Sequence, residues 1–149
     1  MSYRRILCAV DFSDHSNEAL LDAIELAEKD SAALFLLHAM EVQPLLAQWL
    51  ATDGLSDLTM EIERKAQESM DSLVTSVVDR LEKLKLHTEI TSGRAHAEIL
   101  ENASVWRADL IVMGARGAGS LEDVLLGSTA NRVLSDTECS VLVVKKTLD

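Results

Sequence analysis

The stretch DLIVMGARGAGSLEDVLLGSTANRV, residues 109–133, runs from a short block of large apolar side chains into a glycine-rich loop and out into a segment of helical period. Leu110 to Met113 carries no polar alternation, as expected of a strand buried on both faces of a parallel sheet. After Gly127-Ser128, residues Ala130, Val133 and Leu134 recur at three- and four-residue steps and predict one apolar face of a helix. Working outward, the same alternation fills the chain. Strands are predicted at Ile6 to Val10, Ala33 to Ala39, His87 to Thr91 and Val141 to Val144. The third of these alternates polar with apolar residues and reads as an edge.

The intervening segments have helical period. Ala19, Leu20, Ala23, Ile24 and Ala27 mark the first apolar face, with Ser13 or Ser16 placed to cap it. Ile62, Ala66, Met70, Leu73, Val77, Leu81 and Leu84 predict one long second helix, and Ile99, Leu100, Ala103 and Trp106 a third. The order β-α-β-α-β-α-β-α-β with right-handed crossovers gives an α/β fold: a five-stranded, parallel, doubly wound (Rossmann-like, flavodoxin-like) sheet with helices on both faces. The expected strand order is 3-2-1-4-5, and residues 1–149 are read as a single domain.

Composition narrows the function classes. The chain has 149 residues, 48% of them apolar, and 25 Asp+Glu against 14 Lys+Arg for a net charge of −11. That is enough apolar content for a core, too much for disorder, and the wrong charge for general nucleic-acid binding. Two cysteines cannot form a disulfide scaffold, and Cys8 and Cys139, beside apolar runs, are expected to be buried thiols. His15, His38, His87 and His96 lack the spacing of metal ligands. The apolar run in Met1 to Phe12 is too short for a signal-peptide core, and no stretch reaches the roughly 18 to 20 apolar residues of a membrane span, so a cytoplasmic location is expected.

Ligands of such folds sit at the carboxyl ends of strands where the strand order reverses, so the residues after the first and fourth strands matter most: Asp11 and the loop from Gly114. Four of the six glycines (Gly114, Gly117, Gly119, Gly127) fall there within fourteen residues. The loop is not a P-loop, because Ser120 stands where lysine is required. Nor is it a dinucleotide fingerprint, because Glu122 is not small and the loop follows the wrong strand. What remains is Gly114-x2-Gly117-x9-Gly127-Ser128. Glycines at a sheet mouth let backbone N–H groups approach an anion, and a helix starting at Ser128 favours phosphate. Ser128 and Thr129 add hydroxyls that can donate to phosphate or help complete a Mg²⁺ shell, and Arg116 adds a charged contact. Arg116, Arg132 and the helix start can outweigh the screened negative charge of the rest of the surface.

On RRILCAVDFS, ALFLLHAM, ADLIVMGARG, LLGSTANRVL and CSVLVV, over nearly its whole length, the chain resembles the universal stress protein family. The complete G-x2-G-x9-G-S/T motif resembles that of the ATP-binding members. The resemblance implies Asp11 beside the ribose and adenine, the backbone of Ala39 against adenine and Met113 flanking the nucleotide. It also implies Gly114, Gly117, Gly127, Ser128 and Thr129 on the phosphates, with Mg²⁺ (or Mn²⁺) arriving on the ATP. It departs from the family at Ser140, where proline is usual. A homodimer through Val141 to Val144 is implied as well, and an exposed apolar edge strand argues the same way.

Two functions compete: a nucleotide-dependent switch or sensor in stress response, and a slow ATP-hydrolysing enzyme using the same site, for which Glu122 and Asp123 are the only loop carboxylates. An FMN carrier is disfavoured by the loop's position and the 3% aromatic content. The segment Val42 to Leu58 is more apolar than a loop should be. It reads as a short helix over the sheet, a dimer contact or a docking patch for another protein.

Overall fold

The computed structural model describes residues 2–41, 56–117 and 126–146. Gly119, Glu122, Asp123 and all but the end of the Val42–Leu58 segment lie outside the described residues. The elements are β1 (Arg5–Ala9), α1 (Asp14–Asp30), β2 (Ala33–Met40), α2 (Ser56–Ser76), α3 (Val78–Leu81), β3 (Leu86–Ser92), α4 (Ala95–Trp106), β4 (Leu110–Gly114), α5 (Ser128–Asp136) and β5 (Ser140–Val144). All five strands pair in parallel in the order β3-β2-β1-β4-β5, as the alternation of elements predicts.

Parallel register and the two-residue period of a strand divide the core into two layers. Cys8 pairs with Leu36 on one side and Val112 on the other. These residues, with Ile6, Leu34 and Leu110, face Ala19, Leu20, Ala23, Ile24 and Ala27 of α1, Met70 of α2 and Leu81 of α3. The alternate residues Leu7, Phe35, Leu37, Ile111 and Met113 face Ile99 and Ala103 of α4 and Ala130 and Val133 of α5. Burial pushes the Cys8 thiol far above its usual range, because no water remains to solvate a thiolate. The edge strands differ in kind. His87, Thr88 and Glu89 expose a polar β3, whereas β5 exposes Leu142.

Several expectations are corrected. The predicted long second helix is broken at Val77, whose φ of −126° and ψ of 18° separate α2 from α3. The apolar stripe runs on through the break, but β-branched Val74, Thr75, Val77 and Val78 crowd the turn. The Ser76 hydroxyl also donates to the Leu73 carbonyl at 2.6 Å. An ion pair from Arg80 to Glu28 at 2.9 Å then holds α3 against α1 and keeps the Glu28 carboxyl below its ordinary range. Leu134 does not join the buried face of α5: it is 44% exposed. Cys139 is half-buried rather than buried. Val141 to Val144 lies at the edge of the sheet, as expected, with Leu142 36% exposed. The predicted strand limits move by one residue, β1 to Arg5–Ala9 and β4 to Leu110–Gly114 among them. Ser13, not Ser16, is the N-cap of α1, and its side chain accepts from the Ser16 N–H. Among the described residues no helix is long and apolar enough to cross a membrane.

Leu36 lies in the middle of β2 with no exposed surface. Leu36→Ala is expected to lower unfolding stability by about 2–5 kcal/mol. Urea denaturation checks this: the midpoint falls while the slope stays unchanged.

Candidate functional site

In a parallel sheet covered on both faces, ligands meet the carboxyl ends of the strands, and there a cavity of about 560 Å³ lies across the ends of β1, β2 and β4. It holds Asp11, Ala39, Met113, Gly114, Arg116, Gly117, Gly127, Ser128 and Thr129, so all nine residues anticipated from sequence come together there. It also holds residues that were not anticipated: Ser16 of α1, Glu41 after β2, Ile62 and Ala66 of α2, and Ala95 and Ile99 of α4.

Asp11 divides its carboxylate between two tasks. Oδ1 accepts the Ser13 N–H at 3.0 Å and also the Ser13 hydroxyl, closing an Asx turn that leads β1 into α1. That turn places Phe12 at φ 66°, a left-handed conformation rare for a bulky side chain, and it is held there by contact of its ring with His38, 4.5 Å between centroids. His38 is fixed in turn by its Nδ1 at 2.8 Å from the Val10 carbonyl. The other oxygen, Oδ2, lies towards Gly117, 2.9 Å from where a Cβ would stand.

The glycines act through the side chain they lack. A Cβ on Gly114 would come within 2.9 Å of the His15 backbone and 3.0 Å of the Ser16 nitrogen, so β4 can meet the start of α1 only at a glycine. A Cβ on Gly127 would find ordinary contacts no closer than 3.4 Å. Among the described residues nothing requires a glycine there.

The Ala115 N–H donates to the Val144 carbonyl and the Gly127 N–H to the Ala115 carbonyl, both at 2.7 Å, so neither is directed at the cavity. Gly127 is the N-cap of α5 and has no side chain with which to cap it. The first turn of α5 lines the cavity through Ser128 and Thr129, and with it comes the positive end of the helix dipole. Ser128 is the first helical residue and not the cap.

The other half of the cavity is apolar: Val10, Ile62 and Ala66 on one side, Leu37, Ala95 and Ile99 on the other. At its outer end the Glu41 carboxylate accepts the Ala95 N–H at 2.6 Å, which caps α4 across 54 residues of chain. Opposite, Lys146 closes over the start of α1. Its N–H donates to His15 Nδ1 and its ammonium to Asp14, both at 2.9 Å, and the ammonium holds the Asp14 carboxyl below the usual range. Among the described residues no cluster of three or more His, Cys, Asp or Glu could hold a metal ion.

The shape of the cavity and its donors invite comparison with known proteins. A family model described as the universal stress protein family matches residues 2–145. Universal stress protein MJ0531 of Methanocaldococcus jannaschii is 36% identical over 144 residues, covering 97% of this chain and 83% of that one. Among solved structures, protein MJ0577 of the same organism superposes with a TM-score of 0.85 at 26% identity over all of both chains. UspA from Lactobacillus plantarum superposes with a TM-score of 0.81 at 30% identity, covering 97% of this chain and 99% of that one. Two more distant structures share the fold: a universal stress protein in complex with cAMP (TM-score 0.63, 22% identity, 99% of this chain and all of that one) and one from Archaeoglobus fulgidus in complex with dAMP (0.69, 20%, 97% and all).

The contacts at the two loop glycines predict opposite outcomes. Gly114→Ala, which meets backbone, should cost about 1–3 kcal/mol of stability. Gly117→Ala meets only the end of the Asp11 side chain and should stay within about 1 kcal/mol of wild type. Paired urea melts of the two variants give the comparison, and equal losses would contradict it.

Proposed function

The chain belongs to the universal stress protein family, and from that premise we propose that it is an ATP-binding switch, a single nucleotide-binding domain whose cavity takes the nucleotide. The observation that carries the reading is one juxtaposition. The uncapped first turn of α5, the space left by Gly114, Gly117 and Gly127, and the Asp11 carboxylate meet in a single cavity with an apolar half. The donor-rich half suits phosphates and the apolar half suits a base. Solved proteins of the same fold hold cAMP and dAMP, which makes an adenine nucleotide the natural class.

In this reading the base lies against the backbone of Ala39 with Met113 beside it, and Asp11 Oδ2 accepts from the ribose. The N–H groups of Ser128 and Thr129, with Arg116, hold the phosphates. Gly117 and Gly127 keep the space open. Mg²⁺ (or Mn²⁺) would arrive with the triphosphate and neutralise part of its charge. The Ser128 or Thr129 hydroxyl would be a protein oxygen able to join it, and the oxygen-rich phosphates suit such a hard cation. Binding is favoured over turnover because, in this reading, Asp11 braces the turn after β1 and meets the ribose while Glu41 caps α4, so neither described carboxylate in the cavity is assigned to an attacking water. A phosphate-release assay on the wild type decides between them.

Ligand binding can act as a switch only if it favours one conformation. The hydrogen bonds from Gly127 to Ala115 and from Ala115 to Val144 offer a direct route from the cavity to β5. The exposed edge of β5 is where a second copy would pair, through Val141 to Val144.

ATP with Mg²⁺ at about a hundredfold above Kd should stabilise the wild type by about 2.7 kcal/mol, a rise of several degrees in Tm. Gly127→Val, at a position the fold does not reserve for glycine, should keep the unliganded melt near wild type and lose that rise. An undiminished rise in Gly127→Val would remove the phosphates from this loop. Light scattering should find a dimer that Leu142→Asp converts to a monomer.

A further inference from the structure

Among the described residues, one cationic contact between α4 and α5 belongs to no ion pair. Arg132 of α5 places Nη1 at 3.5 Å from both ring nitrogens of His96, in the first turn of α4. A guanidinium nitrogen equidistant from two ring nitrogens at that distance makes no directed hydrogen bond, so its donors remain available. Among the described residues no carboxylate lies within ion-pair distance of Arg132, a property it shares with Arg4, Arg5, Arg94 and Arg107; what sets it apart is its place on α5, one turn from Ser128.

Arg132 follows Ser128 by four residues and so shares its helix face, and a helical side chain leans towards the N-terminus of its own helix. Its reach is therefore back towards Ser128, which lines the cavity. His96 is the neighbour of Ala95, which lines the cavity from the opposite helix. Two donors on separate helices thus flank the same opening, and the ring carries an N–H in either protonation state. Neither residue lines the cavity itself. Arg132 stands one helical turn from Ser128 of the donor-rich half, and His96 stands beside Ala95 of the apolar half, so the pair spans the outside of the cavity between α4 and α5.

We propose that Arg132 and His96 form a clamp for the terminal phosphate of a nucleoside triphosphate, so that the pair selects triphosphates over monophosphates. The proposal rests on the nucleotide reading above. In it the α5 first turn and the glycine loop hold the phosphates nearer the ribose, and the guanidinium supplies planar, charged donors to the last one. The pair contributes nothing to a ligand that ends at its first phosphate.

Calorimetric titration of the full chain with ATP, ADP and AMP, each with Mg²⁺, tests this on wild type, Arg132→Gln, Arg132→Lys and His96→Ala. Arg132→Gln should weaken ATP about tenfold and leave AMP unchanged, as loss of a charge-assisted bond to one phosphate requires. Arg132→Lys should recover part of the loss, and His96→Ala should show a smaller loss in the same direction. An equal loss for ATP and AMP would mean a general field effect and overturn the clamp, as would an unchanged ATP affinity. Both residues are polar and outside the core, so the unliganded melts of the variants should superpose on wild type. A wild type that binds none of the three nucleotides would overturn the nucleotide reading together with the clamp. A wild type that binds ATP, with variants that keep its ATP-to-AMP ratio, would overturn the clamp alone.

Discussion

A strand that is apolar on both faces and hydrogen-bonded on both edges can sit only in the middle of a covered sheet, and β1 is that strand. Ile6, Leu7 and Cys8 have no exposed surface, and the strand is bonded to β2 on one side and β4 on the other. Parallel neighbours on both sides demand a helical crossover for each connection, and the handedness of those crossovers sends helices to both faces. With both faces and both edges of β1 occupied, only its ends remain, and at the carboxyl end the chain turns away from the sheet. The chain leaves β1 towards one face and β4 towards the other, and the gap they open is the cavity. The site is thus a by-product of how the centre of the sheet must be covered.

What the loops add is close fit. Gly114 lets β4 meet the backbone of α1 at a distance no side chain permits. The Ala115 peptide, fully buried, is bonded on one side to β5 and on the other to the N-cap of α5. With its own N–H committed to Ala115, Gly127 leaves the donor role to the residues that follow it. The acidic surface and the donor-rich cavity do not conflict, because Arg116 and the start of α5 line the cavity beside Asp11 and Glu41, and most of the surface carboxylates are screened from it.

The sheet was legible because burial on both faces leaves an unbroken apolar run, and β1, β2 and β4 show one. So was the edge position of β3, from the alternation at His87, Thr88 and Glu89. The break at Val77 was not, because the apolar stripe continues through it: periodicity records which face is buried, not whether the backbone stays helical. Leu134 failed for a related reason, since a nine-residue helix offers too few turns to distinguish a buried position from its neighbour. In the cavity, residues adjacent to strand ends could be anticipated from topology. Glu41 and Ala95 could not, because their bond spans 54 residues and neither has a local signal. The pairing of Arg132 with His96 likewise exists only once α4 and α5 lie side by side.

The core position of Cys8 gives the molecule an internal clock. A thiol with no exposed surface, and with its ionisation suppressed by burial, reacts with an alkylating reagent only when β1 leaves the centre of the sheet, whereas half-buried Cys139 lies near the surface at the start of β5. The two cysteines therefore report on different depths of opening, one on local fraying beside an edge strand and the other on cooperative unfolding of the whole sheet. The unmodified chain thus carries its own measure of how firmly its centre is closed.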